Sequence, residues 1–408
     1  MTAGNMKKKS DPVPIAKQKS ELRTENKIQE FPERERLPKR GKLDEPLLVL
    51  TLLLLAVGLI CLFSASYSVA YYGQDGDSTY YIVKQGIFAA AGIVAMLAAS
   101  RFNYHKLHYL AMPVLIFSLV LLASIKIVPS MWVTINNARR WISLGFTTFQ
   151  PSEISKFAVI LSFSSLATIW GPKKMHTFRW GLLPFMLIIG ATAGLLYLEP
   201  HLSATVIIAM TGLVIIFLGG ANIAWFTIGG GAAAAFVFWF IKTHEYAQTR
   251  INVWLDPFSD KLNDGWQGVQ SLLAIGSGGF WGLGLGQSRQ KHLFLPEPAN
   301  DFIFSVICEE LGFIGAVLII LLFAALIWRG YYIAMHAGDK FGTLLAAGIT
   351  TQIAVQTVFN LGVVTGLLPI TGAALPFFSY GGTSLLIQLG EMGLLLAISR
   401  RMPAPKGG

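Results

Sequence analysis

Apolar residues run almost without interruption from Pro46 onward, in blocks of about 20 residues separated by shorter polar breaks. A bilayer core of about 30 Å is crossed by about 20 helical residues at about 1.5 Å each. Ten blocks fit that length: 46–67, 82–100, 108–128, 152–170, 180–198, 202–219, 222–242, 302–326, 343–360 and 383–400. The pattern predicts an all-α polytopic membrane protein of about ten transmembrane helices, with one membrane domain over 46–401. Residues 1–45 alternate Lys, Arg, Glu and Asp with prolines and cannot bury a core, so they read as a disordered charged tail. Residues 402–408 read as a short C-terminal tail. No cleavable signal peptide is recognisable, and the first span is expected to act as its own insertion signal.

Three breaks are too long or too unusual to be mere connections. One, at 129–151, contains NNARRWISLGFTTFQPSE. The second, at 243–300, is a large loop between predicted helices 7 and 8 and carries the glycine-rich run GSGGFWGLGLGQ. No strand precedes that run, so a dinucleotide fingerprint is not expected there, and a loop lying against the membrane surface is. The third, NLGVVTGLLPITGAALPFFSYGGT at 360–383, is apolar yet rich in Gly and Pro, which argues against a continuous helix. Irregular backbone at membrane depth survives only inside protein or against a wet cavity. This stretch is therefore expected to be a re-entrant segment before the tenth helix, the other reading being a flexible loop tip.

Composition agrees: 53% of the 408 residues are hydrophobic and only 13% charged, against about 25% in soluble domains. The net charge of +10 does not indicate nucleic acid, because the basic residues sit in the N-terminal tail and in short loops. Arg101, Lys106, Lys173, Lys174, Arg179, Arg329, Arg400 and Arg401 fall on one side if the spans alternate. That side is then cytoplasmic, with both termini. Cys61 and Cys308 lie in apolar spans, so no structural disulfide is expected. The seven histidines form no zinc-type spacing, and no nucleophile elbow or Walker loop is present.

The chemistry concentrates in LPEPANDFIFSVICEELGFIG, 295–315. An ionisable residue inside a membrane span costs roughly 2.5–3.5 kcal/mol and marks a functional site by default. Asp301 stands at the mouth of a long apolar run, either as a helix N-cap or as a reactive acid. Glu309 and Glu310 follow about 12 Å further along a helix, about 100° apart, so only one shares the face of Asp301. Glu309 is nearer by that geometry, and a structural role for both, paired with cations on neighbouring helices, stands as the alternative. Glu153 and Lys156, three apart, are either a local ion pair or part of a substrate cavity. Arg139 and Arg140 before Trp141 are either an interfacial anchor or a phosphate-binding pair. Arg250 is either a ligand to substrate or a partner of Asp256.

These stretches, in this order, resemble the SEDS family (shape, elongation, division and sporulation proteins), and the likeness covers roughly 46–400. The division-type (FtsW) branch looks nearest, with the rod-elongation (RodA) and sporulation branches close by. The resemblance implies a ten-helix glycosyltransferase that polymerises lipid II into glycan strands outside the cytoplasmic membrane, in cell division. It also implies a class B penicillin-binding protein and other divisome membrane proteins as partners. The family's essential acid corresponds to Asp301. The resemblance places Glu297 and Tyr380 with Arg139, Arg140, Trp141, Glu153, Lys156, Arg250 and Lys291 as substrate-binding residues. Three positions depart from the family pattern: Asn137 for Gly, His201 for Asp and Asn300 for Thr.

The implied reaction inverts at an anomeric carbon, so it needs a base for the incoming hydroxyl, for which Asp301 is the candidate. It also needs cations for the departing pyrophosphate, for which Arg139, Arg140, Arg250, Arg289 and Lys291 are candidates. A divalent cation, Mg²⁺ or Mn²⁺, is the one cofactor considered. A lipid II flippase and a division scaffold are the competing functions, since broken helices with buried ionisable groups also suit transporters.

Overall fold

The computed structural model describes residues 41–402, except 129–131, 136–137, 144, 146, 200, 244 and 261–264. Side chains at 126–127, 135, 138, 232–234, 236–237, 240–241, 245–247 and 249–250 also lie outside the description. The expectations for the tail at 1–40, for 403–408, for Asn137 and for the Arg250 side chain therefore fall outside the described residues.

Each predicted span is a helix. In chain order these are α1 (Glu45–Gly73), α2 (Tyr80–Ala99), α3 (Leu107–Ile127), α4 (Pro151–Met175), α5 (Leu183–Leu198), α6 (Leu202–Leu218) and α7 (Ile223–Thr243). Two helices, α8 (Glu245–Leu255) and α9 (Trp266–Gly278), precede α10 (Ile303–His336), α11 (Lys340–Val364) and α12 (Gly382–Ser399). Among the described residues eight helical stretches are long and apolar enough to cross a membrane. In α4, α11 and α12, 61–72% of the apolar window is buried, against 22–39% in the other five, so these three form the bundle's centre. The rim faces lipid, and large apolar side chains such as Val94, Ile116, Leu187 and Leu321 stay more than half exposed there.

One end of the bundle is tied by charge. Asp44 accepts from the Leu47 N–H as N-cap of α1 and takes a two-point salt bridge from Arg329 (3.0 and 2.8 Å). Asp339 caps α11, accepts from the Tyr104 hydroxyl and meets His105, which contacts Arg401. The loops considered below lie at the opposite end.

Three features there go beyond the helical pattern. First, the break at 129–151 is not a bare loop. It holds a small antiparallel sheet of β1 (Trp132–Ile135), β2 (Ala138–Ser143) and β3 (Thr148–Phe149), in the order β1-β2-β3. The fold is thus all-α apart from this sheet, whose strands WVTI and ARRWIS carry β-branched and aromatic residues that favour extended backbone. Second, the 243–300 loop contains α8, a 3₁₀ turn at Pro257–Asp260, and α9 packed along α10.

Third, the predicted span at 302–326 is two helices broken at Gly312, whose φ of 68° is left-handed. The break admits the glycine-rich loop. Leu283 and Gly284 N–H groups donate to the carbonyls of Glu309 and Glu310, and Phe313 N–H donates to Gly279 O. A Cβ on Gly312 would lie 2.3 Å from the Gly282 nitrogen.

The Gly/Pro-rich segment at 365–381 is irregular; Thr365, Leu367 and Pro369 are exposed, while the 373–379 stretch is largely buried, with Leu375, Phe377 and Phe378 nearly inaccessible. It reaches the middle of α1, where a Cβ on Gly58 would meet the Phe377 carbonyl oxygen at 2.5 Å. Protein surrounds the 373–379 part, as irregular structure at membrane depth requires.

Gly312→Ala combines a left-handed residue (about 1–2 kcal/mol) with overpacking (about 1–3 kcal/mol). It is expected to lower the unfolding free energy in detergent by the sum, about 2–5 kcal/mol. Gly276→Ala, inside α9 with open space at its Cβ, should not destabilise and should gain up to about 1 kcal/mol.

Candidate functional site

Asp301 is held through its backbone. Asn360 on α11 donates both amide hydrogens, one to the Asp301 carbonyl and one to the Ala373 carbonyl, at 2.7 Å each. The Ser379 hydroxyl donates to Asn300 O (2.7 Å), and the Tyr380 N–H donates to Ala299 O (2.9 Å). Gln85 on α2 clamps the same segment from behind, donating to Ser379 O and accepting from Gly381 N–H. The 299–301 turn and the 372–381 segment are thus stitched into one unit. The N-cap position of α10 is Phe302, and no side chain caps the helix, so Asp301 is not spent as a cap.

The side chain of Asp301 is part of a charge cluster. Glu297, in a left-handed turn conformation, accepts from the Asn300 amide and lies within electrostatic reach of Asp301. Arg140 reaches both Asp301 and Glu199. Its position follows from a β-bulge: Val133 pairs with Trp141 and Thr134 with Arg139, leaving Arg140 as the extra residue of β2. Bulges re-aim side chains. Arg139 is exposed and its Nε bonds Thr134 Oγ1 (3.3 Å), so the two arginines part company. Trp141 is half-buried.

Burial, with Glu297 nearby, pushes the Asp301 carboxyl up to about 6, against the pull of Arg140. Burial pushes Glu199 up to about 8, again against Arg140. His201 is driven down to about 3 by burial and by Arg140 and Lys156, so it is neutral. Tyr380 stacks edge-on against Tyr81 (4.7 Å), and burial raises its hydroxyl to about 12.

Beneath this cluster a polar seam enters the centre of the bundle. Lys156 pairs with Glu153 (2.9 Å) and donates to Gln356 (3.1 Å), all buried. Ser384 on α12 donates to Glu153, and Gln352 donates to Glu391. Gln352, Gln356 and Asn360 are four apart, so they line one face of α11. Sequence reasoning missed this ladder and also Glu199. The signal was available as three amides at helical spacing in an apolar span, and as an acid at the end of α5.

A family model described as a cell cycle protein, spanning FtsW, RodA and SpoVE, matches residues 45–403. The chain belongs to the FtsW/RodA/SpoVE family. It is 41% identical over 365 residues to stage V sporulation protein E of Bacillus subtilis, covering 89% of this chain and 98% of that one. A probable peptidoglycan glycosyltransferase FtsW of Trichlorobacter lovleyi is 39% identical, covering 87% and 93%. In structure the chain resembles a component of a peptidoglycan synthase complex (TM-score 0.74, 28% identity, covering 88% and 98%). It also resembles RodA of Thermus thermophilus (TM-score 0.64, 27% identity, covering 89% and 98%).

Within this FtsW/RodA/SpoVE fold, several expected site residues are placed elsewhere. Lys291, expected at a pyrophosphate, is buried with its ammonium on Glu310 (2.7 Å) and Ser64 (3.2 Å). A buried ammonium needs a carboxylate, and Glu310 at the Gly312 break supplies it. Glu310 also accepts from the Ser64 hydroxyl, and Glu309 accepts from Ser288 Oγ and from the Arg289 and Gln290 N–H groups. Both glutamates therefore anchor the loop that leads to Asp301. The cation of Glu310 comes from that loop and not from a neighbouring helix, and Glu309 is held by hydroxyl and backbone N–H donors.

Lys291→Ala leaves Glu310 buried without its cation and is expected to cost about 3–5 kcal/mol of unfolding free energy. Adding Glu310→Gln should restore a large part of the loss in the same unfolding measurement.

Proposed function

We propose that the protein is a peptidoglycan glycosyltransferase that polymerises lipid II, a disaccharide-peptide on undecaprenyl pyrophosphate, into glycan strands. The observation that carries this reading is Asp301. It is an acid held by its backbone, unused as a cap, raised toward neutrality and set beside Arg140 at one end of the membrane bundle. Its environment suits a general base working near neutral pH. Ionised Asp301 takes the proton of the acceptor sugar hydroxyl, whose oxygen attacks the anomeric carbon of the second lipid-linked sugar. Arg140 meets the charge that develops on the departing pyrophosphate. Lys156 with Glu153, and Tyr380 with Glu297, line the approaches to this centre.

The site end faces outward. Arg101, Lys106, Lys173, Lys174, Arg179, Arg329, Arg400 and Arg401 support this, as the positive-inside rule puts their end in the cytoplasm with both termini. A class B penicillin-binding protein and other divisome membrane proteins are the partners of this reading, and the division septum is its place. Likeness to a chain of a peptidoglycan synthase complex supports a partnered enzyme. Among the described residues no three His, Cys, Asp or Glu side chains assemble a metal site. A Mg²⁺ or Mn²⁺ ion would thus take most of its oxygens from the substrate and water, and no step above runs through it.

The test is lipid II polymerisation by the purified protein with its class B partner, free of other polymerases. Asp301→Asn should lower the rate by about 10²–10⁴-fold while the protein still folds. Wild-type rate should rise with pH through about 6, because the base works only when ionised. Strands made at wild-type rate by Asp301→Asn would overturn the assignment.

A further inference from the structure

Glu199 is the buried group that the mechanism above leaves without work. It sits in the turn between α5 and α6, fully buried, and neither carboxyl oxygen has a hydrogen-bond partner. Its backbone N–H closes α5 on Leu196 O, but the side chain caps nothing. A buried polar group without a partner is costly, and an ionised one more so, so such a group calls for a reason. His201, two residues on, is also buried with Nδ1 unpartnered. The same turn opens α6, and Ser203 ties that helix to the Gly372 carbonyl (3.2 Å). A Cβ on Gly372 would lie 3.1 Å from Asp301 Oδ2, so the Glu199 turn and the Asp301 turn meet through one segment. Arg140 spans the two acids electrostatically.

From this juxtaposition we infer that Glu199 is the proton donor to the departing pyrophosphate, the acid opposite the base Asp301 across Arg140. The inference rests on the glycosyl-transfer reading. The acceptor hydroxyl gives its proton to Asp301, and its oxygen forms the bond to the anomeric carbon. The bond from that carbon to the pyrophosphate oxygen breaks, and the electron pair stays on that oxygen. Glu199 gives its proton there. Once product leaves, Asp301 returns its proton and Glu199 regains one by exchange with water, so the net transfer is from hydroxyl to pyrophosphate. Environments that push two carboxyls apart separate acid from base. Here the charged group facing Glu199 is Arg140 on β2, which with Lys156 on α4 also acts on His201 two residues along. Those facing Asp301 are Glu297 and Arg140. Between about pH 6 and about pH 8, Asp301 is ionised while Glu199 keeps its proton.

The experiment is the pH–rate profile of lipid II polymerisation by the full-length protein with its class B partner. Wild type, Glu199→Gln, Glu199→Asp and Asp301→Asn are compared, each checked for its unfolding midpoint. Glu199→Gln should keep KM, lower kcat by about 10²–10⁴-fold and lose the alkaline limb near pH 8 while keeping the acid limb near pH 6. Glu199→Asp should recover part of kcat and show the alkaline limb again, displaced. A purely structural Glu199 would lower the midpoint and leave the shape of the profile unchanged. Wild-type kcat in Glu199→Gln, or a reduced kcat with the alkaline limb intact, overturns the inference. Should Glu199→Gln not fold, an undisplaced alkaline limb in Glu199→Asp overturns it. An inactive Asp301→Asn beside a fully active Glu199→Gln removes this inference and leaves the transferase standing. A wild type that makes no strands removes both.

Discussion

The structure turns on the hydrogen bonds that let irregular backbone exist inside a membrane bundle. Lipid offers no partners, so each carbonyl and N–H of the 299–301 and 365–381 segments must find one in the protein. Asn360 is the central provider, since one amide serves the Asp301 and Ala373 carbonyls together. Gln85, Gln356, Gln388 and Ser379 serve the remaining irregular backbone from α2, α11, α12 and the segment itself. These side chains are polar because the backbone they satisfy is irregular, and that backbone is irregular where it must present Asp301 at an angle no continuous helix allows.

A second constraint is charge. The chain buries several ionisable groups and divides them between two tasks. Around Gly312 the Lys291–Glu310 pair and the Glu309 contacts close a loop whose backbone enters the helix break, and there Lys291 and both glutamates have partners. Around Asp301 the balance is left incomplete. Glu199 has none of the bonds that would hold it ionised, and Arg140 is shared by two acids. The first arrangement gives rigidity, and the second keeps two carboxyls near neutrality on either side of one cation. The two clusters are close in the chain, with Asp301 only eight residues before Glu309.

The seam formed by Glu153, Lys156, Gln356, Gln352 and Glu391 continues the polar interior into the most buried helices, α4, α11 and α12. The outer helices instead present large apolar side chains such as Val94, Ile116, Leu187 and Leu321. The bundle is thus built inside out relative to a soluble protein, with polar contacts specifying the packing of an apolar frame.

By itself the sequence determined the membrane class, the ten apolar blocks that are helical, with ends within about ten residues, the Gly/Pro-rich segment that is not helical, and the acid at the mouth of the α10 run. All of these follow from local composition and periodicity, which need no knowledge of neighbours. Tertiary structure decided the rest. The sheet at 132–149 depended on pairing across a loop, and the Gly312 break on a glycine loop arriving from 30 residues upstream. Lys291 read as a substrate cation until Glu310 claimed it, and Glu199, which the sequence did not single out, gains Arg140 as a neighbour only in the fold. Whether a charged group serves scaffold or chemistry depends on which partners reach it, and partners far apart in sequence are chosen only when the helices pack.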